Sequence, residues 1–150
     1  MKNWAMTLPR RLLLAGGAVL IARPALATPA EAMAAIRAIT GGAEPRRGRI
    51  KLDLPLLVEN GNAVAMTISV PDPLPAAERV LSLHVFAPQN PFPNVIHAYF
   101  GPRSGGPRLS TRIRLATSQT VTAIAACADG SFWLDDVELL VTLAACIDEI

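Results

Sequence analysis

From Arg49 onward, the apolar residues of this chain recur at every second position, and turn residues break the alternation at short, regular intervals. Ile50, Leu52 and Leu54 alternate. So do Val64, Met66, Ile68 and Val70. Leu109, Thr111, Ile113 and Leu115 alternate against Ser110, Arg112 and Arg114. A period of two puts one set of side chains on each face of a strand, so these segments are half-buried strands. Many short strands with one apolar face each must bury those faces against one another. The expected fold is therefore all-β: an immunoglobulin-like antiparallel β-sandwich of seven or eight strands, with one short N-terminal helix.

The punctuation refines this expectation. Glu59-Asn60-Gly61-Asn62 holds an Asn-Gly turn between two apolar runs, which predicts a hairpin. Pro71, Pro73 and Pro75 make a stiff connection, and Val80 to Phe86 follows as a strand. Val95 to Phe100 is the next strand, followed by a Gly/Pro/Ser loop from Gly101 to Pro107. Thr120 to Cys127 and Leu134 to Ala145 form the last pair, around Asp129-Gly130. Trp133 has no Cys-Trp-Cys spacing around it, so it does not mark a true immunoglobulin domain.

The helix lies before the strands. Thr28-Pro29-Ala30-Glu31 reads as an N-cap, a proline in the first turn and a glutamate reaching back. Ala32, Met33, Ile36 and Ile39 then fall on one face, and Gly41-Gly42 ends the helix. Ahead of it, Lys2, Arg10 and Arg11 precede a ten-residue apolar run from Leu12 to Ile21, and Ala25-Leu26-Ala27 is a small-x-small cleavage site. Residues 1–27 thus read as a signal peptide, of twin-arginine type from Arg10-Arg11, and residues 28–150 as the working domain in the periplasm. The apolar run is too short for an ordinary membrane span.

The leader holds four basic residues and no acidic ones. The remainder therefore carries ten basic against twelve acidic side chains, a net charge of −2. The basic character of the whole chain belongs to the leader and gives no argument for nucleic acid as a partner.

Cys127 shares a face with Val121, Ala123 and Ala125, so it reads as a small buried hydrophobe beside the turn. Cys146 lies sixteen residues past Gly130. At about 3.3 Å per strand residue the two thiols are tens of ångströms apart, and a disulfide is not expected. In the last strand Val137, Leu139, Val141, Leu143 and Ala145 take the core face. Glu138, Leu140, Thr142, Ala144 and Cys146 take the other. Cys146 is then an outward thiol near the chain end, with a chemical use or with cover from a partner subunit or the chain end. His84 and His97 fall on neighbouring strands and, with Met66, make a conceivable copper or zinc pair, but they lack the spacing of a metal motif. The sequence assigns no metal, no cofactor and no catalytic residue. Arg112 and Arg114 read as a solvated strand face.

From Leu83 to Trp133 the chain resembles the SoxY family, the sulfur carriers of bacterial thiosulfate oxidation. The resemblance rests on His84-Val85-Phe86-Ala87-Pro88-Gln89-Asn90-Pro91, Ser110-Thr111-Arg112-Ile113-Arg114-Leu115-Ala116, Ser118-Gln119-Thr120-Val121 and Asp129-Gly130-Ser131-Phe132-Trp133. Leu54-Pro55 and Glu59-Asn60-Gly61 also fit. The resemblance implies a heterodimer with a SoxZ-like sandwich. It also implies periplasmic cytochrome and hydrolase partners, and pathway intermediates held covalently on one cysteine in a Gly-Gly-Cys-Gly-Gly tail. It places Cys146 at that carrier position. Here the tail reads Ala144-Ala145-Cys146-Ile147-Asp148-Glu149-Ile150, without the glycines and with added acid. The resemblance thus implies a carrier subunit, not itself an enzyme, with an altered arm. The alternative is a SoxY-derived binding or assembly subunit with no covalent role.

Overall fold

The computed structural model describes residues 28–70 and 74–143. Helix α1 (Pro29–Thr40) begins as its sequence predicts. The Thr28 hydroxyl accepts from Glu31 N, and the Glu31 carboxylate accepts from Thr28 N at 2.7 Å. Gly41, with φ of +62°, closes the last turn in the left-handed region that glycine tolerates. The apolar stripe is narrower than expected. Ala32 is buried and Ile36 and Ile39 are half-buried, but Met33 is exposed. Ala32, Ile36 and Ile39 follow the i, i+4, i+7 row, and Met33 stands about 100° round from Ala32.

Among the described residues nine strands follow, in two sheets: β1 (Arg46–Arg47), β2 (Lys51–Asp53), β3 (Leu57–Asn60), β4 (Val64–Ser69), β5 (Val80–Phe86), β6 (Asn94–Tyr99), β7 (Arg108–Ile113), β8 (Gln119–Cys127) and β9 (Phe132–Leu143). The larger sheet runs β1-β9-β8-β5-β6, with β3 also on β9, and the smaller runs β2-β4-β7. The core lies between them. Leu52, Met66, Ile68, Ile113 and Leu115 from the small-sheet side join Leu83, Val85, Val121, Ala123 and Leu139 of the large one. Asp135 on β9 ties the sheets by accepting the Leu52 N–H at 2.8 Å. This is the β-sandwich expected from the alternation.

One local expectation is overturned. The strands flanking Asn60-Gly61 do not form a hairpin. β3 pairs in parallel with β9, whereas β4 pairs antiparallel with β2 and β7, so the turn carries the chain from one sheet to the other. The turn is real: Asn60 Oδ1 accepts from Asn62 N at 2.9 Å, an Asx turn. What differs is the partner of β3. The exposed edge of β9 gives β3 a ladder, and the core gives the β4 apolar face its cover. Gly61 sits so close to Leu115 that an added Cβ would overlap its carbonyl oxygen, and Leu115 N donates to Gly61 O at 2.8 Å.

Candidate functional site

Strand β9 is the longest among the described residues and ends at Leu143, three residues before Cys146 in the sequence. On one side it is bound by β8 from Ala126↔Phe132 to Gln119↔Leu139, and beyond that by the Ser118 hydroxyl at Val141. On the other side it takes two short parallel strands in succession, β1 at Trp133 and Leu134, then β3 from Leu140 to Leu143. A strand held on both edges is a stiff base for whatever follows it.

Two loops and strand β3 meet that base. The Ser118 hydroxyl accepts from Val141 N at 2.9 Å and lies 3.4 Å from Val141 O. The Thr142 hydroxyl donates to Val58 O at 3.4 Å. Behind them Asn90 Oδ1 accepts from both Ala116 N and Gln119 Nε2, while Asn90 Nδ2 donates to Arg114 O. Gln119 is buried and also accepts from Gln89 N through Oε1 at 2.9 Å. This network joins the Ala87–Pro93 and Arg114–Ser118 loops to each other and to β9. Such a shell fixes the point from which an arm departs. In the sequence Asn90, Ser118 and Gln119 stand out only as parts of the family segments; their joint role depends on loop contacts that periodicity does not reveal.

Cys146, the candidate carrier residue, lies outside the described residues, as does the Ala144-to-Ile150 tail. The strand phase leading to it holds as far as the described residues go: Leu139 is buried, Val137 and Val141 are half-buried, and Glu138, Leu140 and Thr142 are exposed.

Cys127 is a free, buried thiol at the other end of the β8–β9 hairpin. Gly130, with φ of +80°, makes the turn beside it, and Asp129 Oδ1 accepts from both the N–H and the hydroxyl of Ser131. Burial pushes the Cys127 thiol above its ordinary range, which keeps it protonated and unreactive at neutral pH. From Phe132 to Leu143 the strand spans about 36 Å, and three further residues reach about 10 Å. Cys127 is thus out of bonding range of Cys146.

Near the same turn Arg46 and Arg49 place their guanidiniums 4.6 and 4.8 Å from the Trp133 ring. Arg47 pairs with Asp136, and Arg49 with Glu78. These contacts fasten the β1 segment to β9. Arg112 and Arg114 are exposed between buried Ile113 and Leu115, the solvated face their spacing predicts.

The histidines do come together. His84 and His97 are directly paired across β5 and β6, with their Nδ1 atoms 2.6 Å apart. Met66, the third conceivable ligand, is buried in the inter-sheet core, on the side away from this pair. No group of three or more His, Cys, Asp or Glu side chains able to hold a metal occurs among the described residues.

Comparison with known proteins agrees with the fold. A putative superoxide reductase from Thermotoga maritima superposes with a TM-score of 0.54 at 18% identity, over 67% of this chain and 89% of that one. The superoxide reductase (neelaredoxin) of Ignicoccus hospitalis superposes with a TM-score of 0.52 at 21% identity, over 77% of this chain and 94% of that one. At these identities the likeness is one of fold. No curated protein matches the chain. A family model, sulfur oxidation protein SoxY, matches residues 36–146, from the middle of α1 to the tail cysteine. That match covers most of the sequence, and the chain belongs to the SoxY family.

Proposed function

We propose that this protein is an exported sulfur carrier that holds oxidation intermediates covalently on Cys146 and works beside a SoxZ-like subunit in the periplasm. Membership of the SoxY family supports the broader statement, a carrier protein of sulfur oxidation rather than a catalytic enzyme. The observation that supports the finer one is that the family match runs as far as residue 146 and so includes Cys146. Attaching a sulfur anion to a thiol through a new S–S bond releases the thiol proton and two electrons. An oxidising partner must take up the electrons, which suits a cytochrome. Hydrolysis of the adduct needs no oxidant.

The fold suits this division of labour. β9 and the two loops joined to it form a stiff root for the segment beyond Leu143. The arm's composition sets its properties. Alanine and isoleucine leave the backbone less freedom than glycine. Asp148 and Glu149 disfavour a neighbouring thiolate, though solvent screens them. Transfer into a partner's narrow site is therefore slowed more than the thiol's intrinsic reactivity. Replacing Ala144, Ala145, Ile147 and Asp148 by Gly should speed transfer by partner enzymes more than labelling by a small thiol reagent.

The same altered tail favours a second reading, an assembly subunit without a covalent role. Turnover of sulfur compounds by the reconstituted system distinguishes the two. Cys146→Ser abolishes it if the protein is a carrier and leaves it unchanged if it only assembles. Residues 1–27 are proposed as the leader. N-terminal sequencing of native protein should begin at Thr28, where Glu31 already offers a carboxylate to the new α-ammonium.

A further inference from the structure

Two guanidiniums near the root of the arm, those of Arg112 and Arg114, have no acidic partner among the described residues, where the ion pairs use Arg47 and Arg49. Both arginines are exposed, on either side of buried Ile113. Arg112 stands opposite Ala65 of β4, and Thr67 stands opposite Ser110, with their hydroxyls 3.1 Å apart. Ala65, Thr67, Ser110 and Arg112 line a shallow depression of about 520 Å³ on the open face of the small sheet. Its floor is made of short side chains and one rim of it is cationic, so an extended acidic segment can lie there.

The fold sets the distance from this surface to the end of β9. Leu143 pairs with Asn60, Asn60 leads into Gly61, and Leu115 N donates to Gly61 O. Strand spacing, chain steps and that hydrogen bond keep the Arg114 Cα within about 18 Å of the Leu143 Cα. Asn90 holds the Arg114 carbonyl in the network that Ser118 fastens to Val141. Arg112 lies about 7 Å farther along β7. Asp148 and Glu149 follow Leu143 by five and six residues. Their backbones reach about 17 and 20 Å from it, and the long arginine side chains close the remaining gap. The other arginine group on β9 is a poor match. Arg47 pairs with Leu134, about 30 Å back along the strand from Leu143. Trp133, Asp136 and Glu78 already engage Arg46, Arg47 and Arg49.

We propose that Arg112 and Arg114 are the docking site for the acidic end of this chain's own tail, Asp148 and Glu149, and that docking parks Cys146 beside the small sheet. Each exposed ion pair is weak alone. Two pairs on a tethered segment act at a high effective concentration, which favours the parked state while leaving it easy to release. Parking needs no sulfur on Cys146, so it stands or falls apart from the carrier reading. Its consequence rests on that reading: the thiol is withheld until a partner's cationic surface competes for the two acids.

The test is nuclear magnetic resonance of the full chain with a nitroxide on Cys146, Cys127 being buried and its labelling checked by mass. In low salt the nitroxide should broaden the amide signals of Ala65 and Ile113. Raising salt to about 0.5 M should reduce that broadening at least about threefold, because exposed ion pairs are screened. Arg112→Glu with Arg114→Glu, both at exposed positions, should reduce it as much in low salt. Adding Asp148→Lys and Glu149→Lys to that chain should restore it. Broadening that ignores salt and the arginine reversal, or that the second reversal fails to restore, overturns the proposal. Turnover unchanged by Cys146→Ser would overturn the carrier reading and leave the docking intact.

Discussion

Leu57 and Leu140 stand directly opposite one another in the parallel pairing of β3 and β9, and both are more than half exposed, at 61% and 58%. Opposed residues in a ladder share a face, so the two side chains form one apolar surface beside the strand that leads to the arm. A partner seated there would bury that surface and brace the root of the arm. Leu140→Lys should weaken association with a SoxZ-like subunit at least about tenfold, roughly 1.4 kcal/mol, because an apolar anchor is lost and a charge is desolvated. The folded chain alone should change by no more than about 0.5 kcal/mol, as at other exposed positions. Light scattering and titration of co-purified chains measure the first, and chemical denaturation the second.

Gly61→Ala should destabilise the domain by about 1–3 kcal/mol, since a methyl group there meets the Leu115 backbone carbonyl and the backbone cannot yield as a side chain can. Denaturant midpoints compare it with Gly105→Ala, where an added Cβ meets nothing within 4 Å. Equal effects at the two positions would contradict the crossing geometry.

Cys127 should resist thiol reagents at pH 8 in the folded chain, with only Cys146 reacting; mass mapping of the labelled peptides decides it. The sign of the pH dependence follows from the raised Cys127 thiol. The folded state disfavours the thiolate, so its contribution is fully present below the unfolded thiol's ordinary value of 9.0. It is lost as pH rises through the folded value. Stability measured across that window should fall with rising pH in the native chain and fall less in Cys127→Ala, once the ordinary pH profile is subtracted.

The two-residue alternation was legible because burial on one face writes itself into neighbouring residues. The helix start at Thr28 was legible for the same reason: its capping bonds join residues three apart. The hairpin expected at Asn60-Gly61 failed because the same Asx turn serves a hairpin and a change of sheet. What decides between them is the free edge of β9, some eighty residues later. Cys127 was readable as core from its strand face. The support around the arm's root was not, since Asn90, Ser118 and Gln119 meet only when two loops come together at the start of β8. The His84–His97 pairing depends on the β5–β6 register, which the intervening Pro-rich loop sets and the alternation alone does not.

The covalent role of Cys146 is tested most directly by the intact mass of the protein purified without reductant from cells oxidising sulfur compounds. The account predicts a population carrying added sulfur or sulfur-oxygen mass, removed by reductant, mapped to the peptide containing Cys146 and absent from Cys146→Ser. A single unmodified mass under those conditions, with sulfur oxidation undiminished in Cys146→Ser, would contradict it.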